Sequence, residues 1–324
     1  MILAGDVGAT KILLEVGEAR SGRWEPTFSK RYATRNEIGF PDALREFLDD
    51  WKREGGGGGP IDAAAFGVAG MVDGRKVKMT HRPWIVDADF ICNRFDIGKA
   101  RVANDLGAAA HGIDWVAREE IVEIQPGHAD PLEPRVVLGV GTGLGISYRV
   151  NVDGKLHEIS GEGGHANFAP LNATHAALWE TIYRAQGRCS AEDVLCGHGI
   201  QHIYGHITGR GAHVAGAPDF PESAEISAGA DRGDSQCKAA LELFADCLGS
   251  VAGDHAVSMM ARGGVYLVGG VVSKISPHLA SERFRQSFCA KGVHSAVMMR
   301  IPVRAVRSER IAVIGAARMA AELS

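Results

Sequence analysis

The chain has 324 residues, 42 of them glycine, with 35 Lys+Arg against 39 Asp+Glu and 45% hydrophobic residues. Glycine stands well above its usual share of roughly 7%, yet no Gly-X-Y period exists and prolines number only 12, which excludes collagen and low-complexity disorder and leaves a folded protein long enough for about two domains. A net charge of −4, 6% aromatics and the lack of any long basic run exclude the footprint of a nucleic-acid binder.

The start reads as strands, Ile2–Val7 and Lys11–Glu18, then a turn at Ser21-Gly22 and a third strand through about Tyr32, an antiparallel meander by its alternation. Phe40, Leu44, Phe47, Leu48 and Trp51 then recur at helical spacing, with Pro41 in the first turn. The glycine run Gly55–Gly59 ends that helix and reads as a surface loop with no side chains to offer a ligand. Ile61–Val72 reads as one apolar strand ending in small residues, and Ala100–Asn104 as another, followed by the small-residue helix Leu106–His111.

A second cycle opens near Arg135: strand, glycine-rich turn, strand to Val150, and an Asp153-Gly154 hairpin. Helices follow after Asn172 and from about Ser235 to Ala261, then strand Gly264–Gly270, a helix, strand Arg300–Val306 and a last helix from about Ile311. The stretch 187–233 is polar and glycine-rich and reads as an irregular insertion. The picture is two α/β domains of related plan, each opening on a β-hairpin with a glycine-rich turn.

No stretch spans a bilayer: the longest apolar one, around Arg262–Ser273, is about a dozen residues and is broken by glycine. Met1 leads into an apolar strand with no basic leader, so the expectation is no membrane and no signal peptide. Six cysteines without a CxxC pair suit reduced thiols in the cytoplasm. Cys196, His198, His202 and His206 recur along a possible helix. Gly197 and Gly199 loosen it and no acidic partner lies near, so a helix face with chance histidines is preferred to a metal site.

Chemistry concentrates in a few places. The turn Gly5-Asp6-Val7-Gly8-Ala9-Thr10 suits phosphate: small residues let backbone N–H groups approach, Thr10 adds a hydroxyl, and Asp6 can hold Mg²⁺ or its waters. A plain tight hairpin would need the glycine but neither the aspartate nor the threonine. A second such turn at Gly141-Thr142-Gly143 strengthens the phosphate reading. No GxxxxGK[ST] loop exists. Gly161–Ala166 formally fits a GxGxxA dinucleotide fingerprint, but Pro170 interrupts the helix it needs, and Glu162 and His165 among its glycines suit a ligand rich in hydroxyls. Asn104-Asp105 ends a strand and begins a helix, so Asp105 reads equally as an N-cap or as a general base for a substrate hydroxyl.

Taken together, these residues resemble the bacterial glucokinase family of the actin–hexokinase–Hsp70 ATPase superfamily. The resemblance runs through GDVGAT at 5–10, AND at 103–105, GVGTGLG at 139–145, GEGGHANFAP at 161–170, SAEDVLCG at 190–197 and VGGVVSK at 268–274. It implies a two-domain actin-like (ribonuclease H-like) α/β fold with a cleft between the domains. Residues 1–106 plus 307–324 would form the small domain and 107–306 the large one. It also implies phosphorylation of the 6-hydroxyl of glucose by ATP with Mg²⁺, in the cytoplasm, by a homodimer.

Position by position, Asp105 would be the catalytic base, and Asn104, Glu162, His165 and Glu192 sugar ligands. Asp6, Gly8, Ala9 and Thr10 would line the phosphate and Mg²⁺ side, Thr142 and Gly143 the opposite side, and Gly269 and Gly270 would approach the nucleotide. The sequence departs from the family at Ala9, where a second glycine is usual, at Lys11 and His81, where neutral polar residues are common, and at His198, where proline is usual. The cysteine cluster of the related repressor/ORF/kinase family is absent. Two other readings keep part of this picture: a kinase of another hexose, such as mannose or an amino sugar, and a sugar-sensing regulator without turnover.

Overall fold

The structure is a computed structural model that describes residues 1–34, 39–54, 59–80, 82–213 and 220–324. His81, Gly55–Gly58 and Gly216 lie outside the described residues. Contacts divide the chain into two compact units, Met1–Arg118 with Arg310–Ser324, and Glu119–Glu309.

The first unit opens with β1 (Ile2–Val7), β2 (Lys11–Arg20) and β3 (Arg23–Ala33), followed by α1 (Phe40–Glu54) and β4 (Ala63–Val68). A small antiparallel sheet of β5 (Gly70–Asp73), β6 (Lys76–Met79) and β7 (Ile85–Asp87) comes next, then α2 (Ala88–Phe95), β8 (Lys99–Asn104) and α3 (Asp105–Gly112). The stretch Ile61–Val72, expected as one strand, is therefore two: β4 pairs with β1 in the main sheet, while β5 turns away to pair with β6. Gly70 marks the break; a Cβ there would lie 2.1 Å from the Lys78 carbonyl oxygen.

The main sheet has the order β3-β2-β1-β4-β8, antiparallel through β1 and parallel beyond it. Alternation divides its side chains between two faces. Leu3, Leu14, Phe66 and Val68 join Phe40, Leu44 and Phe47 of α1 on one face, while Ile2, Ala4, Ala63 and Ala65 face Ala108 and the C-terminal helix on the other.

The second unit begins with β9 (Ile121–Gln125), β10 (Arg135–Val140), β11 (Leu144–Val152) and β12 (Lys155–Gly161). Then come α4 (Ala173–Gln186), α5 (Ala191–Val194), α6 (Gly197–Ile207), α7 (Ser223–Asp231) and α8 (Ser235–Met259). The segment 187–233, expected to be irregular, is thus largely helical in its described part. Of its described glycines, Gly197 and Gly199 lie in the first turn of α6, Gly205 and Gly229 within α6 and α7, and the rest between helices, while Ile200, Ile203 and Ile226 bury the apolar side that its polar average conceals. β13 (Val265–Val268), α9 (Gly270–Leu279), α10 (Glu282–Cys289), α11 (Ser295–Met298) and β14 (Val303–Val306) complete the unit, and α12 (Ile311–Ala321) returns to the first.

The second sheet runs β12-β11-β10-β13-β14-β9. Its first five strands repeat the order and sense of the first sheet, and β9 adds an antiparallel edge. This repeated mixed sheet is the actin-like, ribonuclease H-like plan.

Candidate functional site

In the first unit the candidate residues gather at the C-terminal ends of β1 and β8. The turn after β1 is closed by Gly8 N–H donating to Lys11 O (2.9 Å). Its carbonyls are held from outside: Thr34 Oγ1 donates to Gly8 O (2.9 Å), Thr34 N–H to Thr10 O (3.0 Å), and Arg82 Nε to Ala9 O (2.7 Å). With these acceptors occupied by protein, the turn keeps a fixed shape while Thr10 stays exposed.

At the end of β8 the helix cap falls to Asn104 and not to Asp105. Asn104 Oδ1 accepts from Leu106 N–H (3.0 Å) and Gly107 N–H (3.4 Å), and its Nδ2 donates to Gly70 O (3.1 Å). Three of the four hydrogen-bonding positions of the amide are thus engaged, leaving one N–H for a ligand. Asp105 is the first residue of α3 and half-buried, with Oδ1 accepting from Leu106 N–H (2.9 Å). A helix N-terminus presents partial positive charge at this position. Asp6 bears the cost of that arrangement. Burial first, and then the nearby Asp105 charge, push its carboxyl up to about 7, against the partial relief of Lys11 and Arg31.

The second unit gathers a different set. The loop 161–166 turns through a short 3₁₀ segment, Gly163–His165, and places His165 between two carboxylates. Its Nε2 lies 3.9 Å from Glu162 Oε2 and its Nδ1 3.9 Å from Glu192 Oε1. Glu162 is almost fully exposed, with 83% of its side chain accessible, and Glu192 is about a third exposed at 32%. Behind the loop, Tyr148 hydroxyl and His255 Nδ1 are hydrogen-bonded at 2.7 Å; burial keeps His255 below the usual histidine range, which favours the neutral ring.

The turn after β10 lies close by. Gly141 N–H donates to Gly143 O (2.9 Å), and Glu192 Oε2 accepts from Leu144 N–H (2.8 Å). Gly141 and Thr142 form one wall of a cavity of about 380 Å³, with Gly270, Val271, Lys274 and Ile275 of α9, the start of α6 and the start of α7 as the others. A cavity of that size is in the range that small ligands fill. Gly269 supports it from behind: its φ is +105°, and a Cβ would lie 2.5 Å from Val140 O. Only glycine brings β13 into α9 at that separation.

The structure therefore groups Asp6, Gly8, Ala9, Thr10, Asn104 and Asp105 in the first unit. In the second it groups Glu162, His165, Glu192, Thr142 and Gly143, with Gly269 and Gly270 beside the same turn. Sequence reading missed Gln201, Glu222, Ser223 and Ser227, which also line the cavity. They belong to the segment taken as irregular; the capping pattern Glu222-x-x-Glu225 was the available signal. Lys274, one turn after Gly270, lines the cavity too.

The histidines of the expected helix face lie on α6, and two of them also meet His213. His206 is hydrogen-bonded to Thr181 (2.8 Å), while His213 stacks on His198 (ring centroids 6.0 Å) and tilts against His202 (6.1 Å). Among the described residues no group of three or more His, Cys, Asp or Glu could hold a metal ion.

The glucokinase family model matches residues 3–323. The chain belongs to the glucokinase family. A glucokinase of Mesorhizobium japonicum is 33% identical over 98% of this chain and 91% of its own. The crystal structure of a glucokinase from an Antarctic psychrotroph superposes with a TM-score of 0.85 at 27% identity, covering 99% of this chain and 98% of that one. A ROK family glucokinase from Streptomyces griseus, in complex with glucose and AMPPNP, shares the fold (TM-score 0.66, 20% identity, 99% of each chain). The family is that of ATP-dependent hexose kinases.

Proposed function

We propose that this glucokinase-family chain transfers the γ-phosphoryl group of ATP to the 6-hydroxyl of glucose, giving glucose 6-phosphate and ADP. The observation that carries this reading is the gathering of Glu162, His165 and Glu192 around one loop, in a chain that the family matches almost end to end. Carboxylates accept from hydroxyls in fixed directions, so such a group discriminates among polyols.

Asp105 is the general base. As the 6-oxygen bonds to phosphorus and the bond to the β-phosphate bridging oxygen breaks, the hydroxyl proton passes to the Asp105 carboxylate. A loose phosphoryl-transfer transition state asks for alignment more than for a strong base, and a helix N-terminal carboxylate anchored to Leu106 N–H supplies it. The remaining N–H of Asn104 is available to orient the sugar. Thr142, Gly143 and Gly270 receive the nucleotide on the second unit, and Gly8, Ala9 and Thr10 offer backbone and hydroxyl donors to phosphate on the first.

Asp6 and Thr10 are hard oxygen donors of the kind that suits Mg²⁺. When bound, it neutralises charge on the donor phosphates. Cytoplasmic residence and a place at the start of glycolysis are part of the proposal, supported by ATP as co-substrate and by cysteines that are free thiols. A homodimer rests on the family resemblance, and sedimentation at assay concentration checks it.

The deciding experiment is ATP-dependent phosphorylation across a hexose panel, with polyphosphate and ADP as alternative donors. Glucose is expected to have the highest kcat/KM. Preference for mannose or an amino sugar would move the reading to another hexose, and no turnover of any hexose would overturn it. Glu162→Gln should raise KM for glucose at least about fivefold, with KM for ATP little changed; equal effects on both would remove Glu162 from the sugar set.

A further inference from the structure

The segment Ser190–Gly197 is fastened at both ends. On one side it carries the sugar loop: Ala191 N–H donates to Ala166 O (2.8 Å), Phe168 N–H donates to Cys189 O (3.0 Å), and the preceding Arg188 guanidinium reaches His165 O. On the other side, Gly197 N–H donates to Gly141 O (2.9 Å), at the first residue of the donor turn. The segment itself is stiff. Ser190 and Asp193 close a capping box around α5, and Ala191, Val194, Leu195 and Cys196 are buried.

From the middle of this strap one carboxylate reaches both neighbours. Glu192 Oε2 accepts from Leu144 N–H (2.8 Å), where the donor turn re-enters its strand, and Oε1 faces His165 Nδ1 at 3.9 Å. The turn makes room for it at Gly143, where a Cβ would lie 2.5 Å from Oε2. The two oxygens of Glu192 therefore face different neighbours, one the backbone of the turn and the other the His165 ring.

We propose that Glu192 couples the binding of sugar to the binding of nucleotide. A sugar hydroxyl donating to Oε1 fixes the rotamer of the carboxylate and thereby fixes the acceptor that holds Leu144 and the turn before it. Nucleotide arriving at an already ordered turn loses less conformational freedom, so each ligand tightens the other. By linkage, the factor is the same in both directions. This rests on the proposed assignments of Glu192 to sugar and of Gly141–Gly143 to the donor phosphates. It adds that Glu192 is a positioning residue for the nucleotide even when no sugar is present.

The test is titration of the full chain with AMPPNP, with and without saturating glucose, supported by the melting temperature of each variant. In the wild type, glucose should tighten AMPPNP about 5–10-fold, within the usual range of coupling. Glu192→Ala should weaken AMPPNP about fivefold without any sugar and abolish the effect of glucose. Glu192→Gln keeps an oxygen for Leu144 N–H, so its sugar-free AMPPNP affinity should stay within about twofold of wild type. Glu162→Ala should weaken glucose alone and leave the coupling intact at saturating sugar. Gly143→Ala should weaken sugar-free AMPPNP in the wild type and add little in the Glu192→Ala background, because the displaced group is then gone.

Wild-type AMPPNP affinity in sugar-free Glu192→Ala, with weakened glucose binding, would make Glu192 a sugar ligand only and overturn the inference. Coupling that survives intact in Glu192→Ala would overturn it too. A wild type that binds no AMPPNP and phosphorylates no hexose would overturn the kinase reading itself.

Discussion

The two sheets share one strand order and one opening hairpin, yet their equivalent positions do different work. Aligned by hairpin register, the first turn leaves four residues between the paired Val7 and Ile12, and the second leaves three between Val140 and Leu144. Asp6 then corresponds to Gly139, and Glu15 on β2 to Ser147 on β11. In the first unit the carboxylates Asp6 and Asp105 stand near each other at the strand ends, and backbone carbonyls, Thr34 and Arg82 hold the turn. In the second, the turn itself is held by a carboxylate, Glu192, and the strand ends carry glycine. The repeated architecture thus carries carboxylates at the strand ends of the first unit and glycine with bare backbone at those of the second.

The largest break in that division is predicted at Asp105. Asp105→Ala should lower kcat by about 10³-fold while glucose binding persists, as removal of a general base does; steady-state rates alongside a glucose titration check both halves. Turnover near the wild-type value would return Asp105 to a purely structural place in α3.

Next is the contrast between Glu15 and Ser147. Glu15 is fully buried and accepts from Trp24 Nε1 (2.6 Å), Ser29 Oγ (3.0 Å) and Arg310 (2.8 Å). Ser147, equally buried, makes a single side-chain bond to Glu158 (3.3 Å). Arg310 is 43% exposed and stays solvated without Glu15, so the loss falls chiefly on the buried Trp24 N–H left without an acceptor, and Glu15→Ala should cost about 2 kcal/mol in urea unfolding. Ser147→Ala should cost under about 1 kcal/mol. Equal losses would show that the two ladders are held alike.

A smaller effect has the opposite sign. Because the Asp6 carboxyl is raised to about 7, the stability linked to its proton is fully present below pH about 4 and is lost as pH rises through about 7. In metal-free buffer at pH 8, Asp6→Asn should therefore raise stability by about 1–2 kcal/mol, after discounting for partial exposure, and the gain should vanish near pH 3. Melting curves across that range test it, and a gain unchanged with pH would remove the charge explanation. Smallest of the first-unit effects, Thr34→Val removes the hydroxyl that holds Gly8 O and should cost about 1 kcal/mol.

Much of this was legible in the chain because periodicity and turn chemistry are local. Alternation gave β1 to β3, Asp153-Gly154 marked the β11–β12 hairpin, and the 3.6 spacing from Phe40 gave α1. The repeated small-residue turns pointed to two related units, and Glu162, His165 and Glu192 were named before anything placed them side by side. What escaped was non-local or averaged out. Asn104 took the cap from Asp105 because its amide can satisfy two helix N–H groups and the Gly70 carbonyl at once, and the last of these is a partner 34 residues away. Between 187 and 233, glycines and polar residues diluted an apolar stripe whose burial depends on α8, and the cavity residues there went with it. The second oxygen of Glu192, bonded to Leu144, has no signature in sequence at all.

The helix α12 carries a consequence for the order of events at the ribosome. Val313, Ala316, Ala317 and Ala320 cover the face formed by Ala4, Ala63, Ala65 and Ala108, but 191 residues of the other unit, Glu119–Glu309, are translated in between. At about 5–20 residues per second, that interval lasts roughly 10–40 s. For that time one side of the first unit's sheet is covered by α3 but not by α12, while the second unit is free to fold as an uninterrupted stretch. The nascent protein therefore finishes its later-made half first, and a chain arrested at Glu309 should display that alanine-rich face to chaperones or to a hydrophobic dye.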